Sequence, residues 1–255
     1  MVGINMLKNK VALITGGGQG VGQGIAKSLA KQGAHIVVTG RTLEKCDKTV
    51  ELLKPFNVNT LSVRCDVKST KDLENCIDLT IKKFGRLDIL VNNAQEVARG
   101  PLLNISDAQI NDNWNSGPLA TFRLMKMAYP YLVESKGNII NLCSSVMKRW
   151  DVGTYGVYAA VKAATQQLTR AAANEWGKDG IRVNAIMPHA KSPALAGWMD
   201  ANPVEAKHFQ NSIPLGYVGD CEQDIGEFVA MMCSDGARYL SGQTIALDGG
   251  QVFIG

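Results

Sequence analysis

Lys10-Val-Ala-Leu-Ile14 runs directly into Thr15-Gly16-Gly17-Gly18-Gln19-Gly20-Val21-Gly22, and a stretch carrying Ile25, Ala26, Leu29 and Ala30 follows and closes at Gly33. The first piece is a short apolar run and reads as a buried strand; the last has its apolar residues on one helical face. Strand, glycine-rich turn and helix together let backbone N–H groups and a helix N-terminus hold a pyrophosphate. A Cβ in that turn would block close approach of the phosphates and strain any position with positive φ. Gly16, Gly18, Gln19, Gly20, Val21 and Gly22 are therefore the first candidate nucleotide-binding residues, although a flexible turn would also tolerate such a run.

Ala34-His-Ile-Val-Val-Thr39 reads as the second strand, with Gly40-Arg41 after it. In dinucleotide-binding folds an acidic residue near this point binds the adenosine ribose of NAD, whereas an Arg accommodates the 2′-phosphate of NADP. Gly40 stands where the acid is expected, and Arg41 can grip a phosphate bidentately. The pattern favours NADP(H), with NAD(H) as the alternative. Gln19 brings no second cation to the turn, and a solvated loop charge also accounts for Arg41.

Further along, Leu43 to Lys54 reads as a helix ended by Pro55, Val58 to Arg64 as a strand, and Ser69 opens a helix running to about Phe84. Leu87 to Val91 is a fourth strand. Ser106-Asp-Ala-Gln109 has the form of a capping box for one long helix reaching about Glu134, with a bend near Gly117-Pro118. Gly137 to Leu142, Ile181 to Ile186 and Gln243 to Leu247 complete the strands, and Tyr158 to Trp176 is helical. Strands alternating with helices imply right-handed crossovers and a mostly parallel sheet, with ligands bound at the carboxyl ends of its strands.

Ser144 and Ser145 fall at such a strand end, and Tyr158 lies thirteen residues beyond Ser145 with Lys162 four further on. In a helix, Tyr158 and Lys162 share one face. An ammonium beside a phenol would favour the phenolate and pull the Tyr below its reference of about 10, tuning it for proton exchange with a substrate oxygen. A hydroxyl at Ser145 could hold that same oxygen. A helix with an exposed Lys and a half-buried Tyr satisfies the same spacing, so the placement at the strand edge carries the argument.

The chain has 255 residues, 45% of them hydrophobic and 20% charged, ordinary for a globular protein with a sizeable core. No linker, repeat or charge block divides it, which predicts a single domain over 1–255. The net charge of +4 is scattered, giving nucleic-acid binding little support while suiting an anionic cofactor. Six Cys show no Cys-x-x-Cys pair and no metal-ligand spacing with the three His, predicting reduced thiols and no metal site. With no signal-like N-terminus and no membrane-length apolar stretch, a cytoplasmic protein without a membrane partner is expected.

Thr15-Gly16-x-x-x-Gly20-x-Gly22, Asp66-Val67, Asn92-Asn93-Ala94, Ser145, Tyr158-x-x-x-Lys162, Arg182-Val183-Asn184, Pro188 and Asp248-Gly249-Gly250 occur in an order and spacing that resemble the short-chain dehydrogenase/reductase family over nearly the whole chain. The resemblance implies an α/β, Rossmann-type, doubly wound seven-stranded sheet, assembled as a homotetramer or dimer. It implies Tyr158 as acid/base, Lys162 binding the nicotinamide ribose and lowering the Tyr pKa, and Ser145 orienting the substrate oxygen. Asp66 and Val67 would meet the adenine, Asn93 and Ala94 the adenosine ribose, and Pro188 the nicotinamide.

Three departures stand out. Gln95 replaces the Gly that commonly follows Asn-Asn-Ala, Gly117 falls where the family commonly has a helix Asn completing a proton relay, and His189 follows Pro188 in place of Gly. Ser116 or a water would have to stand in for the lost Asn. A segment at about 190–213, with Pro193, Leu195, Trp198, Met199, Pro203 and Phe209, would form a substrate lid. Gln95, Ser145, Met147, Trp150, Tyr155 and Trp198 would wall the pocket, with Lys148, Arg149 and Lys191 as the cations available to a substrate carboxylate. These residues suggest an NADPH-dependent interconversion of a bulky alicyclic ketone and its alcohol, steroid- or terpenoid-like. The alternatives are a 3-oxoacyl-(acyl-carrier-protein) reductase and, from another class, a non-catalytic NADP(H)-binding sensor or assembly protein.

Overall fold

The computed structural model describes residues 5–149 and 153–252. Seven parallel strands form one sheet in the order β3-β2-β1-β4-β5-β6-β7. They are β1 (Val11–Thr15), β2 (His35–Gly40), β3 (Thr60–Arg64), β4 (Ile89–Asn92), β5 (Asn138–Leu142), β6 (Arg182–Pro188) and β7 (Thr244–Leu247). The order reverses between β1 and β4, whose register pairs Leu13 with Leu90, while Leu13 also pairs with Val37 of β2. The carboxyl ends of β1 and β4 diverge at this reversal, which is where a parallel sheet opens a crevice.

Because every strand is parallel, each connection crosses over, and helices cover both faces. One face carries α1 (Gly20–Lys31), α2 (Leu43–Leu53) and α9 (Glu227–Met232); Ile25, Leu29, Cys46 and Val229 pack there on Ile14, Ile36 and Val38. The other carries α3 (Thr70–Phe84), α5 (Ala120–Ser135) and α6 (Gly156–Trp176), with Leu73, Leu124 and Leu132 on Leu13, Leu90 and Ile139. The strands are buried on both faces, which is why they read as continuous apolar runs without alternation.

The predicted starts hold where a side chain caps the helix. Ser69 accepts from the Asp72 N–H, and Ser106 forms a complete capping box with Gln109 at the head of α4 (Asp107–Trp114). The single long helix expected from Ser106 to Glu134 is instead two helices, α4 and α5, joined by a wider i→i+5 turn over Asn115–Leu119. Pro118 lacks the N–H that α-helical bonding needs there, and widening the turn accommodates it. The predicted lid is α7 (Pro193–Ala201) followed by α8 (Pro203–Asn211), both opening on a proline. No helix among the described residues is long and apolar enough to cross a membrane.

Candidate active site

At the end of β1 the chain turns through Gly16, with φ +64°, and Gly20, with φ +55°, before α1 begins. A Cβ on Gly16 would come within 2.8 Å of the Asn93 amide, and one on Gly18 within 2.9 Å of the Lys45 side chain. The turn is braced from β4: Asn93 Nδ2 donates to the Thr15 and Gly16 carbonyls at 2.8 and 3.0 Å, and the N–H groups of Asn93 and Ala94 donate to Thr15 Oγ1. The Asn93 side chain is therefore spent on holding the turn. Gln19 gives α1 no side-chain cap, and its first turn carries no acid. An uncapped helix start with free N–H groups and no competing carboxylate is the donor set a pyrophosphate requires.

Gly16, Gly18, Gln19, Gly20 and Val21 form one wall of a groove of about 400 Å³. Arg41, Asp66 and Val67 form the outer end, and Asn93, Ala94 and Gln95 the inner end. Gly22, expected among the cofactor contacts, does not border it. A Cβ there would lie 2.5 Å from the Gly16 carbonyl and the Asn93 amide, so this glycine lets α1 close against the turn it supports.

The outer end is richer in charge than the sequence suggested. Arg41 pairs with Glu96 at 2.6 Å, Lys68 reaches Glu96 at 3.2 Å and Asp112 at 2.9 Å, and Lys45 Nζ donates to Gln19 Oε1 at 2.7 Å. Lys45 supplies the second cation that the turn itself lacks. Nothing in the one-dimensional pattern marks it, because its position follows from α2 docking beside Gly18.

A second cavity, of about 590 Å³, adjoins the inner end; Val21, Asn93, Gln95, Ser192 and Ala194 border both spaces. It brings together Ser145, Tyr158, Lys162 and Pro188, from the ends of β5 and β6 and the first turns of α6. Tyr155 and Trp198 line it as expected, and Leu195 and Phe209 join from α7 and α8. Trp198, Phe209 and His189 make successive edge-to-face contacts at 5.8 and 5.2 Å. Met147 does not line it: the side chain packs instead on Cys143, Ala185 and Met187. Trp150 lies outside the described residues. Arg99, unremarked in the sequence, lies over the Tyr155 ring at 4.8 Å and borders the cavity, as do Arg149 and Gln251.

The electrostatics at the centre correct the expected acidification of Tyr158. Burial pushes this phenol well above its ordinary value; a Ser144 hydrogen bond opposes the shift, and Cys143 and Tyr155 add to it. Burial also drives Lys162 down to about 8. The Lys162 ammonium donates to the Leu142 carbonyl and lies 5.5 Å from the centre of the Tyr158 ring, against the ring rather than on the hydroxyl. Desolvation is the largest influence on both groups. Ser144 hydrogen-bonds the Tyr158 phenol, and Ser145 is buried in the wall of the same cavity.

Two joined spaces, one built for a pyrophosphate and one gathering a buried phenol, amine and hydroxyls, define an oxidoreductase site of the dinucleotide-dependent class. A family model described as enoyl-(acyl carrier protein) reductase matches residues 16–251. The chain is 37% identical to a 12alpha-hydroxysteroid dehydrogenase of Clostridium sp., over 97% of this chain and 98% of that one. It is 33% identical to a 3-oxoacyl-[acyl-carrier-protein] reductase of Staphylococcus aureus, over 96% and 99%. A crystal structure of a substituted actinorhodin polyketide ketoreductase with NADPH superimposes with a TM-score of 0.88 at 27% identity, over 95% and 97% of the two chains. The protein belongs to the short-chain dehydrogenase/reductase family.

Proposed function

We propose that this oxidoreductase interconverts a bulky alicyclic ketone and its secondary alcohol, with NADP(H) preferred over NAD(H). The observation that carries the reading is the convergence of Ser145, Tyr158 and Lys162 in a cavity that opens into the glycine-lined groove. When bound, the dinucleotide supplies a hydride to the carbonyl carbon, or accepts one from the carbinol carbon. Tyr158 is kept protonated by burial, so in reduction its hydroxyl is the proton donor to the carbonyl oxygen. Ser144 and Ser145 orient that oxygen. Lys162 supplies the positive charge that favours the developing phenolate once a ligand hydroxyl shares its hydrogen bonds.

The substrate class follows from the walls. Trp198, Phe209, Leu195 and Tyr155 offer apolar area to a ring system, and the cavity volume is within the roughly 300–1,000 Å³ typical of small-molecule sites. The 12alpha-hydroxysteroid dehydrogenase relative points the same way. For the dinucleotide, Arg41 and Lys45 at the adenosine end support a 2′-phosphate.

The test is a panel of ring ketones and alcohols, with NADPH and NADH, followed by nicotinamide absorbance. A ring ketone should be reduced with NADPH preferred, and Tyr158→Phe should lower kcat at least about a hundredfold. Unchanged turnover in that variant would exclude the mechanism. A second reading, reduction of a 3-oxoacyl thioester, is favoured by the Staphylococcus aureus relative; a 3-oxoacyl thioester in the same panel separates the two.

A further inference from the structure

Gln95 and Gly117 are two of the three positions where the chain departs from its family pattern, and they lie against each other. A Cβ built on Gly117 would sit 2.7 Å from Gln95 Nε2, 2.9 Å from its Cδ and 3.0 Å from its Oε1. The Gln95 carboxamide therefore rests directly on the Gly117 backbone, in the volume a side chain at 117 would enter. The side chain absent from the helix is matched by one present on the strand-end loop.

The loop that carries Gln95 is fastened beside Gly117. The next residue, Glu96, donates its N–H to Ser116 Oγ at 3.1 Å, and Ala98 donates its N–H to Asn113 Oδ1 at 3.1 Å. Ser116 Oγ in turn donates to the Asp112 carbonyl at 2.6 Å. The loop after β4 is thus fastened to the wide turn over Asn115–Leu119, which carries Gly117. Those bonds fix the loop backbone beside Gly117, while the Gln95 carboxamide, which none of them engages, can still turn about its own side-chain bonds.

Gln95 also borders both the nucleotide groove and the catalytic cavity. Its Nε2 is buried and finds no hydrogen-bond acceptor among the described residues. Burying an amide donor without an acceptor is unfavourable, so a small turn of the side chain that gives Nε2 a ligand acceptor in the adjoining space is favoured. The ligand here is one whose acceptor sits where cofactor and substrate meet.

We propose that Gln95 is a positioning residue for the reaction: its Nε2–H group holds an acceptor of the bound ligands at the junction of the two spaces, and residue 117 is glycine to admit it. The proposal rests on the alcohol–ketone reading for its assay but not for its geometry. It predicts that a carboxamide is needed at this junction and can be delivered from either side.

The experiment compares the wild-type protein with Gln95→Met, Gln95→Gly, Gly117→Asn and the double variant Gln95→Gly/Gly117→Asn. Each is assayed with NADPH and either 1-decalone or a 12-oxosteroid, and melting temperatures check the fold. Gln95→Met keeps the volume and loses the donor; it should lower kcat about tenfold with KM changed by less than about threefold. Gly117→Asn alone forces two side chains into one space and should lose about tenfold or more. The double variant should recover to within about threefold of wild type, a coupling that independent sites do not show. Full activity in Gln95→Met, or single losses that simply multiply in the double variant, would overturn the proposal.

If the wild-type protein reduces neither ketone, the alcohol–ketone reading fails on its own account. The same proteins are then compared by NADPH titration. Weaker binding in Gln95→Met at an unchanged melting temperature, with recovery in the double variant, still supports the proposal; equal dissociation constants throughout overturn it.

Discussion

Lys162 is 4% exposed, and among the described residues its ammonium is held by a carbonyl and an aromatic face. A cation–π contact returns about 2 kcal/mol when desolvated, whereas burying an ammonium costs several. Desolvation wins, and the amine falls to about 8 from 10.5. The consequence for stability has a definite sign. Below pH 8 the folded protein carries the buried charge and its full penalty. Between about pH 8 and 10.5 the folded form has lost the proton that the unfolded chain still holds, so this residue's contribution rises with pH. The buried thiols pull the other way, since burial raises Cys46, Cys143 and Cys233. The readable quantity is therefore a difference. Urea unfolding of the unliganded protein should show wild type gaining about 3 kcal/mol on Lys162→Met across that window. A constant difference would mean that the amine is not desolvated as described.

Among the elements, α2 and the loop after β4 decide what the adenosine end of the groove accepts. Arg41 is 62% exposed and engaged by Glu96, so its pairing is screened and easily exchanged. A 2′-phosphate must compete with that carboxylate for the guanidinium. Arg41→Ala should weaken NADPH binding by about tenfold while leaving NADH nearly unchanged, and Glu96→Gln should tighten NADPH severalfold. Fluorescence titration with both dinucleotides checks this, and a parallel loss for NADH in Arg41→Ala would remove the phosphate from the argument. The same elements show why part of the site could not be read along the chain. Arg41 follows β2 directly, so its position is local. Lys45 and Glu96 meet the groove only through the packing of α2 and the β4 loop. Likewise, apolar periodicity could not separate an i→i+5 turn from an α-helix at Asn115–Leu119, although Pro118 marked the place. Met147 went the other way because a residue just after a strand end can turn into the core as readily as into the cavity.

For the molecule as a whole, the parallel sheet makes one edge chemically special. Every strand delivers its carboxyl end to the same side, and the reversal between β1 and β4 opens the crevice there. That much followed from the alternation of strand and helix patterns, and so did the placement of Gly16, Ser145 and Tyr158 at that edge. The electrostatic balance did not follow, because it depends on how deeply the folded chain buries Tyr158 and Lys162. The Gln95–Gly117 contact depends on side chains 22 positions apart that share no sequence pattern. The central claim is that this edge carries a hydride acceptor site beside a phenolic proton donor. Its most direct measurement uses NADPH deuterated at the transferring C4 position, with mass analysis of the alcohol formed from the ring ketone that the panel identifies. The account predicts one deuterium on the carbinol carbon with wild type and no product above background with Tyr158→Phe; alcohol that carries no deuterium, or equal product from the variant, would contradict it.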